Sequence, residues 1–506
     1  MSLEQEAKLA ANAAFQLPPM GGLVNGATAA TRPRMELEAT YYDTAQLHLA
    51  RWGVTLRHRT GETGPAWTLK LPGTATDQTL ERQELRFAGD RLAVPRKAAD
   101  LVRAYVRGRA LKPVARLHTS RNPIEIREPD GTLLAEIVDD AVSVHVGRRV
   151  TRRFREIEIE TKSHGRRGRQ ALRSAVGRLT AAGCGDEQPM PKLIRAIGAR
   201  ALRPAEVVLP DLGAHPEPAE LARHAVAGSV VQLLRQDAFV RLGDDEEGVH
   251  KFRVATRRLR SDLATFDNFF DRDQAEWLRE ELRWLGNVVG RVRDSHVLAG
   301  NLQRAVHTLP AEDVALAQPL LTRLRLQARS ARVSMLAILR SERYDRVLDG
   351  LVRAAVTGSQ PPRRGGVRQR RKHRDAMIMN NLVRKRWRGL ANAVDALGPD
   401  PPDAALHDVR IRAKRCRYTA EAVTPAAGER AARFAVAVSR LQAVLGEHQD
   451  SVVAERWLRE AADAMPVSRV VAGELIAHQR TERTRLRAEW PSVWKTVSAK
   501  RLRAGL

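Results

Sequence analysis

Carboxylates recur at every second position in two stretches of the N-terminal region, residues 4–8 and 156–160. Side chains two positions apart on a β-strand point to the same face, so each stretch turns its carboxylates in one direction. Clusters of carboxylate oxygens are the ligands that suit Mg²⁺ or Mn²⁺. The two stretches therefore predict the acidic part of a site for a divalent metal ion.

Cationic side chains recur on the segments between these stretches, where polar and apolar residues alternate. A closed antiparallel barrel with a polar lumen would gather the cations and the carboxylates on its inner wall, because alternate residues of every strand point inward. Arg and Lys hold phosphate oxygens, and a divalent ion polarises a phosphoryl group. The pattern predicts phosphoanhydride hydrolysis; the alternative is that the glutamates form solvated outer faces. The cations are Arg57, Arg59, Lys70, Arg82, Arg116 and Arg121.

A stripe of histidine and basic residues occurs twice in the C-terminal region. Basic residues recur at offsets three, seven and ten from each histidine, and about 100° of rotation per residue places them on one side of a helix. A duplicated cationic stripe predicts a surface for an extended polyanion. The alternative for the histidines is a hydrogen-bonding role at a helix start. The stripes are His250, Arg253, Arg257 and Arg260, and His407, Arg410, Lys414 and Arg417.

The composition indicates the kind of partner. Lys and Arg number 86 against 59 Asp and Glu, which favours nucleic acid, anionic lipid or another phosphate polymer. Aromatic residues make up 4% of the chain, which argues against single-stranded nucleic acid because its binding usually adds aromatic stacking. Cys184 and Cys416 provide no disulfide framework. Since neither a secretion signal nor a long apolar run is visible, we expect a cytoplasmic protein without a membrane segment.

The elements that position these residues differ between the two halves of the chain. Period-two alternation predicts strands up to about residue 200, with helices near 96–107 and 166–183. The prolines of 203–217 predict a linker, and Leu/Ala/Arg-rich segments predict helices over 218–500. The fold class expected is therefore α+β, with an N-terminal β domain at 1–202 followed by an all-α domain.

The helical region contains an internal repeat. The segments 285–297 and 441–453 match at an offset of 156 residues, and the two histidine helices match at 157. Two segments with almost the same spacing predict a duplicated helical unit. We expect repeats at about 218–358 and 375–500, joined by a basic loop at 361–374.

Residues 1–202 resemble the CYTH domains of the triphosphate tunnel metalloenzyme family. The resemblance implies an eight-stranded antiparallel β-tunnel with flanking helices, a divalent metal held by the first and last strands, and hydrolysis of triphosphate-type substrates. The matching motifs are Glu4-x-Glu6-x-Lys8, Tyr41-Tyr42-Asp43-Thr44, Arg57-x-Arg59, Lys70-x-Pro-Gly, Arg82-x-Glu84, Arg116 with Arg121, Glu136 leading to Asp139-Asp140, Arg155 to Glu160, and Pro191-Lys192.

The same resemblance implies roles for individual residues. On the metal side it implies either Asp139 or Asp140, between which the sequence does not choose; we assign Asp140. The other metal-side residues are Glu4, Glu6, Glu158 and Glu160. The residues implied to hold phosphates are Lys8, Arg57, Arg59, Lys70, Arg82, Arg121 and Lys192.

Residues 218–500 resemble the CHAD domain, which often follows a CYTH domain in one chain. The resemblance rests on the two histidine helices and on the repeated Gly-x-x-x-Asp segments that end at Asp294 and Asp450. It implies two four-helix bundles related by pseudo-twofold symmetry, with a basic groove that binds inorganic polyphosphate. No nucleophile–base pair or metal cluster is apparent in the sequence of this region, so we interpret it as a binding module.

Taken together, the residues and the resemblances predict a metal-dependent inorganic triphosphatase with a C-terminal module that binds polyphosphate. One alternative is a non-catalytic protein that binds polyphosphate or associates with its granules. Another is a hydrolase of an organic or nucleotide triphosphate. The expected cofactor is Mg²⁺ or Mn²⁺, and the expected partners are tripolyphosphate and polyphosphate rather than a membrane or a specific nucleic acid. We expect the protein in the cytoplasm, with polyphosphate granules as one place where it could gather.

Overall fold

The computed structural model describes residues 3–4, 6–76, 79–163, 165–185, 190–214, 216–243, 246–357 and 368–503, without the side chains at 3–4, 73–76, 79–82, 368–377 and 503. The chain forms two compact units, Met1–Glu206 and Val207–Leu506. The division falls within the segment 203–217, for which the sequence predicts a linker. No described helix combines the length and the apolar composition that crossing a bilayer requires.

The first unit is built on one antiparallel sheet. The strand order is β1-β7-β6-β5-β4-β8-β9-β10-β2, with β3 paired to β8. The strands are β1 (Leu3–Glu4), β2 (Glu6–Ala11), β3 (Thr28–Thr31), β4 (Met35–Asp43), β5 (Thr55–Thr60), β6 (Trp67–Thr76), β7 (Thr79–Phe87), β8 (Lys112–Arg127), β9 (Leu133–Val146) and β10 (Arg149–Thr161).

The N-terminal segment closes this sheet into a barrel. In β1, Glu4 pairs with Arg82 of β7, whereas in β2, Glu6 pairs with Glu160 of β10. Two residues that lie two positions apart thus pair with opposite edges of the sheet, which removes the free edges that an open sheet would expose. Counting β1 and β2 as one strand, eight strands surround the lumen and β3 lies beside them. The predicted eight-stranded antiparallel β-domain is confirmed.

Five helices flank the barrel: α1 (His48–Arg51), α2 (Arg96–Leu101), α3 (Arg103–Val106), α4 (Arg166–Ala181) and α5 (Lys192–Ile197), which a 3₁₀ turn at Gly198–Leu202 follows. Apolar residues of α4, such as Leu179, pack against Ile157 and Ile159 on the outer face of β10. Leu193 of α5 packs instead against Leu117 on the inward face of β8. Hydrocarbon from α5 therefore fills one end of the barrel.

The second unit consists of helices, as the sequence predicts. They are α6 (Pro218–Leu242), α7 (Glu246–Thr265), α8 (Arg272–Val306), α9 (Ala311–Leu339), α10 (Glu342–Thr357), α11 (Arg368–Asp395), α12 (Asp403–Ala427), α13 (Glu429–Ala464), α14 (Arg469–Val497) and α15 (Lys500–Arg503), with 3₁₀ turns at Asp267–Phe269 and Pro466–Ser468.

The duplication is visible in the arrangement of these helices. Helices α6–α10 pack into one bundle and α11–α14 into the equivalent one, so the expected pair of pseudo-twofold-related bundles is confirmed. The ends of α8 and α13 share an apolar cluster with α9 and α14, in which Leu302 and Leu458 occupy equivalent positions. The later part of the basic loop predicted at 361–374 belongs instead to α11, which begins at Arg368, and residues 361–367 lie outside the described part.

Candidate functional site

The barrel encloses a polar cavity of about 290 Å³. Its wall is built by the alternation along the strands, which turns every second side chain inward. Six of the seven residues predicted to hold phosphates line it, among them Lys192 of α5. The charged residues of the lining are Glu6, Lys8, Arg57, Arg59, Glu62, Lys70, Glu84, Arg86, Arg121, Glu136, Glu158, Glu160, Lys162 and Lys192.

Three glutamates lie side by side on neighbouring strands of the acidic wall. Glu160 of β10 is the direct partner of Glu6 on one side and of Glu136 on the other. Like charges opposite one another are unfavourable unless cations lie between them. Lys162 contacts Glu160 at 2.7 Å and Glu136 at 3.4 Å, and Lys8 contacts Glu6 at 3.4 Å. This row of carboxylates therefore already attracts cations.

Deeper in the lumen, three carboxylates converge on one ammonium group. The Lys192 Nζ atom lies 2.9 Å from Asp140, 2.6 Å from Glu156 and 2.9 Å from Glu158. Burial acts to lower the pKa of Lys192, but the three carboxylates outweigh it and raise the pKa well above its usual value. Burial acts to raise the pKa of Glu158, yet the charges of Lys192 and Lys8 hold it well below the usual value. Lys192 and Glu158 are therefore both charged at neutral pH.

Arg121 completes this buried network. Its guanidinium donates two hydrogen bonds to Asp140, at 2.8 and 2.7 Å, and approaches Glu158 at 3.4 Å. The neighbouring Asp139 points to the other side of β9, where it accepts two hydrogen bonds from Arg155. The structure thus places Asp140 on the inward face and Asp139 on the outward face.

The opposite wall of the cavity is rich in cations. The Lys70 Nζ atom lies 2.9 Å from Glu84. Burial acts to raise the pKa of Glu84, but the charge of Lys70 outweighs it and lowers the pKa to about 2. Arg59 approaches Glu62 at 2.5 Å, and burial together with the charge of Arg57 lowers its pKa to about 10. Arg59 therefore remains charged at neutral pH.

Several lining residues had no role in the sequence-based prediction. Glu84 and Glu136 belong to quoted motifs, and their period-two spacing from Arg82 and Asp140 was a signal that could have placed them inward. Glu62 has no such signal because it lies in the loop after β5. That loop turns at Gly61, which has a φ of +96°, and an added Cβ atom would lie 2.2 Å from the Glu36 carbonyl oxygen.

Three cationic or acidic residues require separate comment. The side chains of Glu4 and Arg82 lie outside the described part, although their backbones pair between β1 and β7. Arg116 does not share the face of Arg121, contrary to the prediction. The two are an odd number of positions apart on β8 with unbroken register, so Arg116 lies on the outer surface of the barrel, where it lines a different cavity.

The acidic wall has the donor chemistry of a divalent-metal site, since carboxylate oxygens suit Mg²⁺ and Mn²⁺. Asp140, Glu156 and Glu158 offer oxygens within 4.8 Å of one another, the one such group in the described part of the chain. Lys192 already supplies this group with a cation. Glu6 and Glu160 belong to the row nearer Lys162, so they could hold an ion together with neighbouring carboxylates.

In the second unit, the two stripes occupy equivalent surroundings. The Arg253 guanidinium lies against Gly290 and donates a hydrogen bond of 2.7 Å to Asp294. The Arg410 guanidinium lies against Gly446 in the same way. In both arginines the Nε atom is buried and has no hydrogen-bond partner in the described part of the chain. The glycines of the repeated motif thus make room for the two guanidinium groups.

The stripes approach one another where α7 packs against α12. Arg257 donates a hydrogen bond of 2.7 Å to the Tyr418 hydroxyl, and Thr265 and Thr419 hydrogen-bond at 3.0 Å. Burial and the charges of Arg257, Arg410 and Arg253 lower the pKa of Lys414 to about 6. The cations of both repeats therefore share one electrostatic environment.

The ends of the stripes have different surroundings. His250 lines a cavity of about 520 Å³ together with Arg258 and Asp262, and burial lowers the pKa of both His250 and His407. Arg417 lies 3.4 Å from Glu421. Burial lowers the pKa of Arg260, to which the charges of other arginines also contribute. The eight residues of the two stripes all lie on α7 and α12, four on each helix.

Two protein-family models match the chain: a CYTH domain at residues 3–184 and a CHAD domain at residues 224–459. Uncharacterized proteins from two strains of Mycobacterium tuberculosis are each 34% identical over 476 residues, which is 91% of this chain and 89% of theirs. The CYTH match lies on the residues that form the barrel, and the CHAD match lies on the residues that form the helical bundles.

Two solved structures are similar to parts of the chain. PptA from Streptomyces chartreusis matches 55% of this chain and 99% of its own, with 23% identity and a TM-score of 0.45. The CHAD domain from the plant Ricinus communis matches 58% of this chain and 96% of its own, with 24% identity and a TM-score of 0.46.

The CYTH domain marks the first unit as a triphosphate-binding tunnel of the triphosphatase type, and the CHAD domain gives the second unit a polyphosphate-related role. Both domains occur in the predicted order. The chain therefore belongs to the family in which a CYTH domain is followed by a CHAD domain.

Proposed function

We propose that the first unit is a divalent-metal-dependent inorganic triphosphatase and that the second unit binds inorganic polyphosphate. The observation that carries the first proposal is the cavity of about 290 Å³, in which a cationic wall faces an acidic one. A chain of phosphates needs cations along its length, and its hydrolysis needs stabilisation of charge at the reacting phosphorus. The two walls provide for both needs.

The cationic wall would bind the substrate. Arg57, Arg59 and Lys70 lie on β5 and β6, and Arg groups favour forked contacts with phosphate oxygens. Hydrocarbon from α5 closes one end of the barrel, so the substrate would enter from the other end. Water would then be excluded from the closed end, which strengthens electrostatic contacts within the lumen.

The acidic wall would hold the metal ion. We propose Glu6 and Glu160 as ligands, with Glu4, Asp140 and Glu158 as the further members predicted from the sequence and Glu136 as an addition from the structure. A divalent ion held there polarises a phosphoryl oxygen and lowers the pKa of bound water. Activity measured with each ion separately would distinguish Mg²⁺ from Mn²⁺.

The proposal gives a second role to three cations of the lumen, Lys8, Lys192 and Arg121. In the free protein they neutralise the carboxylates of the acidic wall at 2.6–2.9 Å. An incoming phosphate chain would compete with these carboxylates for the same cations. The substrate would thereby free carboxylate oxygens as it binds, so substrate binding and metal binding should be mutually supportive.

The test is phosphate release from tripolyphosphate by the full-length protein with Mg²⁺ or Mn²⁺. We expect Glu160→Ala to lower kcat/KM at least about a hundredfold, since it removes a metal ligand. Glu38→Ala is the matched control, because Glu38 is an exposed glutamate on the outer face of β4. Equal activity of Glu160→Ala and the control would contradict the assignment.

The first alternative is a tunnel that binds phosphates without cleaving them. The pairing of Lys8, Lys192 and Arg121 with carboxylates is compatible with this alternative, because it neutralises much of the acidic wall without a metal ion. Binding of tripolyphosphate without phosphate release, in the presence of any divalent ion, would support it.

The second alternative is an organic or nucleotide triphosphate as the substrate. Tyr41 is the sole aromatic residue among the described lining residues, and the cavity volume is at the lower limit of about 300 Å³ for small-molecule sites. Both observations favour an inorganic chain over a nucleotide base. A panel of tripolyphosphate, nucleoside triphosphates and RNA 5′ ends separates the two.

For the second unit, the carrying observation is the pair of arginines, Arg253 and Arg410, whose buried Nε atoms lack partners in the described part of the chain. Polyphosphate has about one charge per phosphate and no bases, so it requires closely spaced cations rather than aromatic surfaces. We expect its binding to weaken steeply with salt, by analogy with counterion release from nucleic acids.

The proposal includes a location in the cytoplasm, with gathering at polyphosphate granules where a cell forms them. Cys184 and Cys416 are both free and buried, which agrees with a reducing compartment. Fractionation of cells under phosphate-rich growth tests this part, and recovery of the protein outside the cytoplasm would contradict it.

A further inference from the structure

A second cavity, of about 580 Å³, lies on the outer wall of the barrel. Thr40 and Tyr42 line it, and they alternate along β4 with Tyr41, which lines the lumen. The two cavities are therefore on opposite sides of the sheet. The segment between β7 and β8, which contains α2 and α3, covers the outer cavity. Its volume is within the range of about 300–1,000 Å³ that is usual for small-molecule sites.

The charged side chains that line this outer cavity are all cationic. Four arginines line it, and none of its described lining residues is acidic. Arg91 comes from the loop after β7 and Arg116 from β8, and neither forms an ion pair or a side-chain hydrogen bond with any described residue. Burial raises the pKa of Tyr42, whereas the charges of Arg91 and Arg116 both act to lower it. Both guanidinium groups therefore lie near the Tyr42 end of the cavity.

The covering loop is attached to the barrel through its backbone. The Tyr42 hydroxyl donates a hydrogen bond of 2.9 Å to the Arg91 carbonyl, and the Trp67 indole donates one of 2.8 Å to the Asp90 carbonyl. These bonds hold the loop to the barrel through its carbonyl groups. The next side chain, Leu92, is 92% exposed at the edge of the cavity.

The remaining lining is largely apolar. Besides Leu92 it includes Ala93, Val94, Ala99, Val106, Leu111 and Pro113. An inorganic phosphate chain would leave this surface without a complementary partner. A molecule that joins an anionic group to an apolar body would satisfy both parts, since Arg prefers phosphate oxygens and apolar contact removes exposed hydrocarbon from water.

We propose that the outer cavity binds a small organic phosphate, with its phosphate group on Arg91 and Arg116 and its apolar body against Leu92 and the adjoining lining. The site is separate from the triphosphate-binding lumen, and its occupancy does not depend on hydrolysis.

The test compares two probes that share an anionic group, phenyl phosphate and inorganic phosphate, by calorimetry on the full-length protein. We expect saturable binding of phenyl phosphate, and at least several-fold weaker binding of inorganic phosphate. The double variant Arg91→Ala/Arg116→Ala should bind phenyl phosphate roughly tenfold or more weakly, because charged hydrogen bonds are lost. Arg148→Ala, at an exposed turn, is the matched control and should change the affinity less than about twofold.

A second variant keeps the test independent of folding problems. Leu92→Ser should weaken phenyl phosphate several-fold and leave inorganic phosphate unchanged, because it alters only the apolar contact. The far-UV circular dichroism spectrum and the thermal unfolding midpoint of each variant report that it is folded. Equal affinity for both probes, unchanged binding by the double variant, or the absence of saturation would each overturn the proposal.

Discussion

At the scale of single residues, Lys414 is a group whose charge should change when a polyanion binds. Burial and the charges of Arg257, Arg410 and Arg253 lower its pKa to about 6, while the carboxylate of Asp450 acts in the opposite direction. At pH 7 most molecules of the free protein therefore carry a neutral Lys414. A bound phosphate chain adds negative charge and raises this pKa.

The first prediction is that polyphosphate binding takes up protons. Because the pKa of Lys414 is higher in the complex than in the free protein, affinity should rise as the pH falls towards about 6. His250 and His407 should contribute in the same direction, since burial lowers the pKa of each in the free protein. Calorimetry in two buffers with different protonation enthalpies measures the number of protons.

The variant Lys414→Met should reduce this proton uptake and weaken binding. Lys251→Met is the control, because Lys251 lies on α7 outside the stripe, where it approaches Glu247 at 3.7 Å. Proton uptake that is the same in Lys414→Met and the wild type would show that Lys414 does not change its charge on binding.

At the scale of elements, α5 is held in the barrel by charge as well as by hydrocarbon. Arg195 lies 2.5 Å from Glu156 and 4.2 Å from the centre of the Phe154 ring. One turn earlier, Lys192 contacts the same Glu156. A short helix of six residues has little stability of its own, so these contacts determine its position.

The second prediction concerns this anchor. We expect Arg195→Met to lower the free energy of unfolding of the first unit by about 1–3 kcal/mol, because it leaves a buried carboxylate with one cationic partner fewer. Hydrolysis of tripolyphosphate should also fall, since Lys192 would be less well positioned. Urea unfolding monitored by tryptophan fluorescence measures the first effect.

Arg200→Met is the matched control for the anchor. Arg200 is exposed on the 3₁₀ turn after α5, and its replacement should change the free energy of unfolding by less than about 0.5 kcal/mol. Equal effects of the two substitutions would mean that the Glu156 contact does not hold α5.

At the scale of the whole molecule, the two units carry distinct sets of charged residues. The lumen combines carboxylates with cations, whereas the stripes of the second unit consist of cations with Asp294 and Asp450 beside them. Each set is complete within its own unit. The two activities should therefore respond to different substitutions.

The third prediction follows from this separation. We expect Arg253→Glu/Arg410→Glu to abolish retention on immobilised polyphosphate and to leave tripolyphosphate hydrolysis within about twofold of the wild type. Arg456→Glu on α13 is the control, because this exposed arginine lies outside the stripes. Loss of both activities together in the double variant would count against separate roles.

Much of the architecture follows from local patterns in the sequence. The period of two places Glu156, Glu158 and Glu160 on one face of a strand, and the helical period places His250 and Arg253 on one side of a helix. These patterns are local, because the geometry of a strand or helix determines which side chains share a face. The sequence also indicates the duplication, since the motifs repeat at nearly constant spacing.

The partners of these side chains were decided only by tertiary structure. Lys192 meets Asp140 and Glu156 because the barrel closes and α5 enters one end of it, and neither event is encoded in a local period. The opposite faces of Arg116 and Arg121, by contrast, follow from their odd spacing on β8, a local signal that the prediction of a common face overlooked. Glu62 reaches the lumen from a loop without periodicity. The local spacing of residues thus determines the direction in which each side chain points, whereas the closure of the barrel determines which side chains it contacts.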